Sequence, residues 1–250
     1  MLTLITVNYN NALGLSRTLK SVIDQCLDEV LEHIIIDGGS TDESSEILEN
    51  YYKNNPNVRF VSEADNGIYD AMNKGIELAT QDYVCFLNSG DILNDESCLQ
   101  RVCSKIKQDV TIDVLYGDLV FFNETGRITR NWISGNFSSW KLFLGWMPPH
   151  PMTIIKRKVL IASNGFSTKF QIAADYDLLL RILWRQARKV SYMPGVLVRM
   201  EKGGISNSSM AAIIYSNFEV IKSWNNLTGI FSPYWIFVTK PLMKIMQIRR

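Results

Sequence analysis

The sequence lacks the motifs by which several common protein classes are recognised. The turn after the first predicted strand has neither a G-x-G-x-x-G fingerprint nor a P-loop, which excludes the glycine-rich phosphate sites of those folds. The four cysteines form no C-x-x-C pair, a pattern typical of reduced thiols, and we expect a cytoplasmic protein. No basic segment opens the chain, so a signal peptide is not expected.

An excess of charge of one sign is also lacking. The 26 basic and 25 acidic residues leave a formal net charge of +1, so no overall field favours nucleic acid as a partner. The chain also lacks internal repeats and low-complexity segments. Its 250 residues suit one large α/β domain, or such a domain with a small appendage.

Apolar runs alternate with helical periodicity over residues 1–92. Strands are predicted at residues 2–7, 33–36, 58–61 and 83–87, and amphipathic helices separate them. A capping box at residues 40–43 is expected to start the second helix. This order predicts a parallel sheet with right-handed crossovers. In such sheets, ligands bind beyond the carboxyl ends of the strands.

Polar residues follow the predicted strands at those ends. Asn8 follows the first strand and Asp37 ends the second, while residues 88–91 (Asn-Ser-Gly-Asp) follow the fourth. Taken alone, such residues are compatible with simple turns. Asp37 has two compatible interpretations, as an acceptor for a ligand or as an acceptor for the glycine-rich turn that it opens.

Residues 62–91 resemble the bacterial family 2 glycosyltransferases, whose nucleotide-binding half ends a buried strand in a D-x-D-like metal motif. Residues 86–91 (Phe-Leu-Asn-Ser-Gly-Asp) occupy the place of that motif. Asn88 and Gly90 stand where the family often has aspartates, and Asp91 keeps its carboxylate. The resemblance therefore implies a divalent cation, Mg²⁺ or Mn²⁺, with Asp91 as its ligand.

The same resemblance implies a nucleotide-sugar donor, with a UDP-sugar as the favoured one. Residues 6–10 and 35–40 resemble the base-binding loops of the family, and the role of accepting a hydrogen bond from the nucleobase falls on Asp37. Residues 65–75 resemble the segment before the metal motif. The implied donor-binding residues are Thr6, Asn8, Asp37, Asp65, Asn73, Lys74 and Ser89.

A second constellation lies at residues 173–181, where Asp175 and Asp177 fall in the first turn of a predicted helix. Carboxylates in that position stabilise a helix in any protein. The segment also resembles the family's E-D-x-D-L-x-L-R motif, whose early aspartate is the catalytic base. The match assigns the base to Asp175, with Ala174 in place of the glutamate, and Asp177 is expected to cap the helix.

Three residues are candidates for contact with the acceptor or the diphosphate: His150, Asp177 and Ser206. His150 follows a Pro-Pro kink and precedes an apolar β run, and its role is left open between metal, diphosphate and acceptor. Ser206 ends a Lys-Gly-Gly-Ile-Ser segment that resembles a loop closing over the diphosphate in related enzymes. Residues 114–122 and 127–133 are predicted to form a hairpin.

The last part of the chain is predicted to be helical at residues 209–227 and apolar, aromatic and basic beyond residue 230. Two prolines and Lys240 make the final stretch a poor spanning helix. Two interpretations remain open. The stretch is either an interfacial segment on anionic lipid or a C-terminal helix that closes the core.

Over residues 1–205 the resemblance implies a single α/β domain of the GT-A type, with a mixed, mostly parallel sheet and a C-terminal helical tail. Residues 1–92 would bind the nucleotide-sugar, residues 93–208 the acceptor, and residues 209–250 would form a C-terminal helix and a possible membrane-interface tail. The implied reaction is inverting transfer of a sugar to a hydroxyl of a lipid-linked or oligosaccharide acceptor. Residues 63–75 most resemble enzymes of exopolysaccharide and O-antigen synthesis, of the colanic-acid type, at the cytoplasmic face of the inner membrane.

Two alternatives accompany this interpretation. A nucleotidyltransferase should carry a glycine-rich, basic loop after the first strand, and residues 8–11 (Asn-Tyr-Asn-Asn) are not such a loop. A catalytically lapsed transferase, which binds nucleotide or glycan within a membrane assembly, is compatible with the missing carboxylates near Asp91. Turnover of a nucleotide-sugar separates this second alternative from an active enzyme.

Overall fold

The computed structural model describes residues 1–26, 31–123, 125–184, 188–201, 209–229 and 233–248. Ser206 and the glycine-containing segment around it lie outside these residues. The described strands are β1 (Leu2–Asn8), β2 (Glu32–Asp37), β3 (Val58–Ser62), β4 (Tyr83–Phe86), β5 (Ile92–Leu93), β6 (Val114–Phe122), β7 (Ile128–Trp132), β8 (Ile154–Lys156) and β9 (Val190–Glu201). The described helices are α1 (Ala12–Ile23), α2 (Ser44–Asn54), α3 (Ile68–Leu78), α4 (Cys98–Gln108), α5 (Trp140–Phe143), α6 (Arg157–Ala162), α7 (Ala174–Leu183), α8 (Met210–Thr228) and α9 (Ile236–Ile248).

The strands form one sheet in the order β3-β2-β1-β4-β8-β6-β9-β5, with β7 paired to β6. Pairing is parallel throughout β3-β2-β1-β4 and antiparallel from β4 to β8 and from β8 to β6. The α/β class with a mixed sheet is therefore confirmed. The predicted hairpin is confirmed too, because β6 and β7 pair antiparallel.

The central strands are covered on both faces, as their unbroken apolar runs predict. Along β1, Leu2 and Leu4 join one hydrophobic cluster, while Ile5 and Val7 join the larger cluster on the opposite face. Side chains alternate between the faces of a strand, so one apolar run serves two cores. Only the ends of the strands are left for polar residues.

The predicted capping box is wrong. Helix α2 begins at Ser44, and Asp42 accepts hydrogen bonds from the backbone N–H groups of Ser44 (3.1 Å) and Ala12 (2.9 Å). The hydroxyl of Ser40 instead donates to Asp37 at 2.6 Å. This segment is therefore part of the loop beyond β2, because Asp37 competes for the same hydroxyl. The long strand β9 is absent from the sequence-based prediction.

The C-terminal helices pack onto the domain. Val220, Trp224 and Ile236 are fully buried in the larger hydrophobic cluster. The indole N–H of Trp224 donates to the Tyr176 hydroxyl at 2.9 Å, and that of Trp235 donates to the carbonyl of Phe143 at 2.7 Å. The interpretation as a core-closing helix is thus confirmed for these residues.

The outer face of α9 leaves apolar side chains exposed, with Trp235, Val238, Leu242 and Ile245 between 44% and 60% accessible. Within the described ranges, no helix is long and apolar enough to cross a membrane. All four cysteines lie in the described part of the chain, and none forms a disulfide. Contact of the tail with a membrane surface stays a prediction.

Candidate active site

The loops after β1 and β2 meet through a network of hydrogen bonds. Asn8 and Asp37 are paired in the parallel register of the two strands, so their side chains leave the sheet side by side. The amide of Asn8 donates to Asp37 Oδ1 at 2.8 Å and to the Ser44 hydroxyl at 2.9 Å. The strand ends are therefore locked together before any ligand binds.

Asp37 is fully buried and saturated with hydrogen bonds. Besides Asn8, its oxygens accept from the Ser40 N–H (2.9 Å), the Ser40 hydroxyl (2.6 Å) and the Ser62 hydroxyl (2.6 Å). Burial by itself would raise the pKa of Asp37, but these hydrogen bonds outweigh it and lower the pKa. Asp37 therefore holds its glycine-rich turn as a carboxylate. Its role towards a nucleobase stays a prediction.

Tyr9, Gly38 and Asp65 form an open shelf beside this network. The ring of Tyr9 is 66% exposed. A Cβ atom on Gly38 would lie 2.7 Å from Asp65 Oδ2 and 3.2 Å from the Tyr9 ring, so only glycine allows this close approach. An exposed aromatic face beside a carboxylate suits a planar ring with N–H donors. Sequence reasoning did not select Tyr9, although an exposed aromatic residue in a strand-end loop is a usable signal.

Two of the predicted donor residues are engaged within the protein. Thr6 is fully buried, and its hydroxyl lies 3.0 Å from His33 Nε2. The amide of Asn73 donates to the carbonyl of Phe166 (2.9 Å) and accepts from its N–H (2.8 Å). Thr6 thus lies beneath the strand ends, and Asn73 fixes the turn at Phe166.

The other two lie closer to the open side of the loops. The ammonium of Lys74 is 2.8 Å from a carboxylate oxygen of Glu63. The hydroxyl of Ser89 donates to the carbonyl of Asn11 at 3.2 Å, which ties the loop after β4 to the loop after β1. Contact of either residue with a donor stays a prediction.

Asp91 ends the loop after β4 and is 5% exposed. Its Oδ2 has no hydrogen-bond partner among the described residues. The Thr18 hydroxyl donates to the Asp91 carbonyl at 2.7 Å and accepts from the Gly90 N–H at 3.0 Å, which fixes the loop. Burial, together with the negative charge of Glu201, raises the pKa of Asp91 to about 8.

These groups fit a divalent cation that is shared with a ligand. The Oδ1 of Asn88, also buried, has no hydrogen-bond partner among the described residues, so an amide and a carboxylate oxygen lie unpaired in one loop. Mg²⁺ takes such oxygens and usually needs only one or two protein carboxylates, because water and phosphates complete its shell. The described residues contain no cluster of three or more His, Cys, Asp or Glu side chains that could enclose a metal by themselves.

Asp175 opens α7 in the wall of a cavity of about 350 Å³. One of its oxygens accepts from the Tyr176 N–H at 2.7 Å. Burial raises the pKa of Asp175 to about 6, with Glu219 adding to the rise and Lys240 opposing it. A carboxylate with a pKa near neutrality suits a general base, since it is ionised at pH 7 and still binds a proton well.

Sequence reasoning missed Glu219 of α8, which holds the segment leading to Asp175. This buried carboxylate accepts three backbone hydrogen bonds, from Gln171 (2.7 Å), Ile172 (2.9 Å) and Ala173 (2.8 Å). A carboxylate at a helix N-terminus complements the helix dipole. The family motif has a glutamate beside its base where this chain has Ala174, and α8 brings a glutamate to the same helix end. No local sequence pattern indicates such a long-range contact.

Asp177 does not cap α7, so that expectation is wrong. No side chain caps this helix by a hydrogen bond, and Asp177 instead pairs with Arg181 Nε at 2.8 Å. Arg181 also donates to the carbonyls of Ser163 and Gly165. The pair lies one helical turn apart and fixes the turn that precedes Phe166. Contact of Asp177 with an acceptor or diphosphate stays a prediction.

His150 lines the same cavity as Asp175. Its ring lies 5.1 Å from the ring of Phe86, the last residue of β4, and its Nε2 has no partner among the described residues. Burial lowers the pKa of His150 to about 4, so the imidazole is neutral at pH 7. The structure thus brings His150 and Asp175 to one cavity, which the sequence alone did not indicate.

A sequence model of the family described as "Glycosyl transferase family 2" matches residues 3–172 of the chain. The chain belongs to this family. It is 30% identical over 198 residues to a PGL/p-HBAD biosynthesis glycosyltransferase of Mycobacterium tuberculosis, and the match covers 75% of each chain. It is 26% identical over 174 residues to chondroitin synthase of Escherichia coli, covering 70% of this chain and 25% of that protein. The predicted family and enzyme class, a glycosyltransferase, are confirmed.

Solved structures of other proteins share the fold of this family 2 glycosyltransferase. S. aureus TarS 1-349 in complex with UDP-GlcNAc superposes with a TM-score of 0.68 at 18% identity, covering 90% of this chain and 66% of that one. A Pyrobaculum calidifontis mannosyltransferase in complex with GDP-Man and Mn²⁺ gives 0.68 at 16% identity, covering 97% and 69%. At such identities the likeness establishes the fold alone, and the chain spans about two thirds of these proteins.

Proposed function

We propose that the protein transfers a sugar from a nucleotide-sugar to an acceptor hydroxyl, with inversion at the anomeric carbon and with Asp175 as the base. The observation that carries this proposal is the position of Asp175. It lies at the mouth of a helix, in a cavity wall, in surroundings that raise its pKa to about 6. A base must lie within hydrogen-bond reach of the attacking hydroxyl, and the cavity provides space for one.

The loops beyond β1, β2 and β4 would hold the donor. The Asp37 network supports a rigid floor, and the shelf of Tyr9, Gly38 and Asp65 is open to solvent and suited to a nucleobase. Two solved structures of the same fold carry UDP-GlcNAc and GDP-Man, which favours a nucleotide-sugar without selecting the base. A UDP-sugar is our first candidate.

Asp91 and Asn88 would hold the divalent cation through their unpaired oxygens. When bound, the ion supplies charge neutralisation for the departing diphosphate. The raised pKa of Asp91 has a direct consequence: near pH 7 most of this carboxyl is protonated until a cation displaces the proton.

Asp175 would take the proton of the acceptor hydroxyl as that oxygen attacks the anomeric carbon from the side opposite the diphosphate. A single displacement inverts the configuration, and the sugar carries oxocarbenium character in the transition state. Glu219 holds the backbone before Asp175 and so fixes the position of the base. The unpaired Nε2 of the neutral His150 is a hydrogen-bonding group for the acceptor in the same cavity.

The acceptor and the cellular role are further parts of the proposal. We infer a lipid-linked or oligosaccharide acceptor in the synthesis of a bacterial surface polysaccharide, with the protein in peripheral contact with the inner membrane. The exposed apolar face of α9 supports a position at a membrane surface. The curated relatives named above act in different pathways by their names, so they do not select an acceptor.

A donor screen tests the proposed function. The purified protein would be incubated with UDP-, GDP- and dTDP-sugars, with and without Mn²⁺, and release of nucleoside diphosphate would be measured beside the thermal stability. A donor at one hundred times its dissociation constant should stabilise the fold by about 2.7 kcal/mol. Stabilisation without any turnover would support the lapsed transferase. Pyrophosphate release from a nucleoside triphosphate and a sugar phosphate would support the nucleotidyltransferase.

A further inference from the structure

The cavity beside Asp175 is predominantly apolar. It lies between the β6–β7 hairpin, the start of α7 and the two C-terminal helices. Trp132, Trp146, Met147, Ile213 and Met243 are among the side chains in its wall. At about 350 Å³ it falls in the size range of small-molecule sites and could take only part of a large acceptor.

This lining is a poor match for a glycan that fills the cavity. Every ring of a sugar carries several hydroxyl groups, and each one that is buried without a hydrogen bond costs about 1–3 kcal/mol. Such sites discriminate strongly, because an unpaired polar group is much worse than a missing methylene. The occupant next to the accepting sugar should therefore be largely apolar.

Three cations interrupt the apolar wall: Arg130 of β7 and Lys240 and Lys244 of α9. The two lysines are one helical turn apart, so they share the inward face of α9. The Arg130 guanidinium lies 4.1 Å from the ring centroid of Phe121, and its Nε has no hydrogen-bond partner among the described residues. Among the described lining residues, Asp175 is the one acid.

The cations affect one another as well as Asp175. Burial and the neighbouring Lys244 lower the pKa of Lys240 to about 8, while Asp175 opposes that fall. Burial and Arg130 lower the pKa of Lys244. Such a crowd of desolvated cations is unfavourable unless an anion is added, because burying charge is costly without a counter-charge.

We propose that this cavity binds the lipid-phosphate end of the acceptor, with the phosphate on Arg130, Lys240 and Lys244 and the first part of an apolar chain against the tryptophan and methionine side chains. The accepting hydroxyl then belongs to a sugar close to that phosphate, within reach of Asp175. The inference rests on the proposed function and narrows its acceptor to a glycan on a prenyl phosphate or diphosphate.

The two faces of α9 agree with this assignment. The inward face carries Lys240 and Lys244, whereas the outward face carries the exposed Trp235, Val238 and Leu242. A helix with apolar residues outside and cations inside suits a position between a lipid surface and a lipid-phosphate site. The enzyme would therefore consume the product of a reaction that places a sugar phosphate on a lipid carrier.

Intrinsic tryptophan fluorescence can test the binding step, since Trp132 and Trp146 lie in the cavity wall. The full-length protein would be titrated with geranylgeranyl phosphate, with the neutral alcohol geranylgeraniol and with inorganic phosphate. We expect saturable binding of the lipid phosphate that is about tenfold or more tighter than binding of either partial probe. Equal binding of the alcohol, or of inorganic phosphate, would overturn the proposal, as would no binding of the lipid phosphate.

Charge variants identify the site. Lys244→Met should weaken binding of the lipid phosphate about tenfold, and Lys244→Arg should restore most of it. Lys222→Met is the matched control, because Lys222 is an exposed cation of α8 outside the cavity lining. Equal losses in both methionine variants would place the phosphate elsewhere. Unchanged thermal unfolding of each variant would show that the fold is intact.

The donor screen separates the two levels of the argument. A protein that releases nucleoside diphosphate from a nucleotide-sugar but does not bind geranylgeranyl phosphate would contradict this inference and leave the proposed function standing. A protein that binds geranylgeranyl phosphate but neither binds nor hydrolyses any nucleotide-sugar would contradict the proposed function.

Discussion

Asp37 and Asp175 are both buried carboxyl groups at the ends of secondary-structure elements, but their surroundings differ in kind. Asp37 accepts hydrogen bonds from Asn8, Ser40 and Ser62, and its pKa is lowered. Asp175 accepts one hydrogen bond, from the Tyr176 N–H, and its pKa is raised to about 6 by burial.

The difference separates a structural carboxylate from a reactive one. Hydrogen bonds to the charged form hold Asp37 ionised and fixed, so it has little tendency to take up a proton. Desolvation leaves Asp175 ready to accept one near neutral pH. Pairs of carboxyl groups whose surroundings move their pKa values apart commonly divide the roles within an active site.

Asp175→Asn is expected to have the largest effect. The substitution preserves shape and removes basicity, so the rate of sugar transfer should fall by about 10²–10⁴ while donor affinity hardly changes. Rapid-quench measurement of nucleoside diphosphate release, beside a donor titration, checks both. Asp177→Asn is the matched control, because it weakens the ion pair with Arg181 and should cost mainly stability, about 1 kcal/mol. A larger loss of rate in the control would move the base to Asp177.

Asp91→Asn should remove the cation-dependent part of donor binding and change the pH dependence of stability. In the wild type the folded-state pKa of about 8 exceeds the ordinary 3.8, so the stabilising protonated form is complete below pH 4 and is lost as the pH rises through 8. The variant has no such loss. At pH 9 in chelator it should be more stable than the wild type, by about 2 kcal/mol.

Chemical denaturation of both Asp91 proteins at pH 5 and pH 9, with and without Mn²⁺, measures this effect. Mn²⁺ should stabilise the wild type more at pH 9 than at pH 5, because it competes with protons for the carboxylate. Equal stabilisation of wild type and Asp91→Asn by Mn²⁺ would show that the cation binds elsewhere.

Asp37→Ala should weaken the binding of nucleoside diphosphate by about 1.5–3 kcal/mol, the usual effect of losing a hydrogen bond to a charged group. The variant also leaves Ser40 and Ser62 without their acceptor, so its thermal stability should fall as well. Isothermal titration and thermal unfolding separate the two effects. Unchanged affinity in a folded variant would mean that Asp37 serves only its turn.

Glu219→Gln should give the smallest change in rate but a distinct change in pH profile. Glu219 raises the pKa of Asp175 from α8, whereas Lys240 opposes it from α9. Without the charge of Glu219, the acidic limb of the pH–rate profile should move to lower pH, by less than about one unit. Glu219→Asp keeps the charge and should keep the limb in place. A profile that does not move in Glu219→Gln would leave Glu219 only a structural role.

Much of the fold was predictable because local patterns carry it. The apolar runs of β1, β2 and β4 and the helical periodicity between them specify a parallel sheet, whose strand ends place Asn8, Asp37 and Asp91 on one edge. The capping box failed because the Ser40 hydroxyl has a better partner in Asp37. Strand β9 was missed because its pairing with β6 depends on contacts remote in the chain.

The sequence by itself determined the family, the order of strands and helices in the nucleotide-binding half, and the two carboxylates, Asp91 and Asp175, on which the proposed chemistry depends. Only the tertiary structure decided the surroundings of those carboxylates. Glu219, His150 and Lys240 come from separate segments to the cavity of Asp175 or to the helix end that bears it. The physical reason is that burial and charge proximity set a pKa, and both are properties of packing between distant segments rather than of any local sequence pattern.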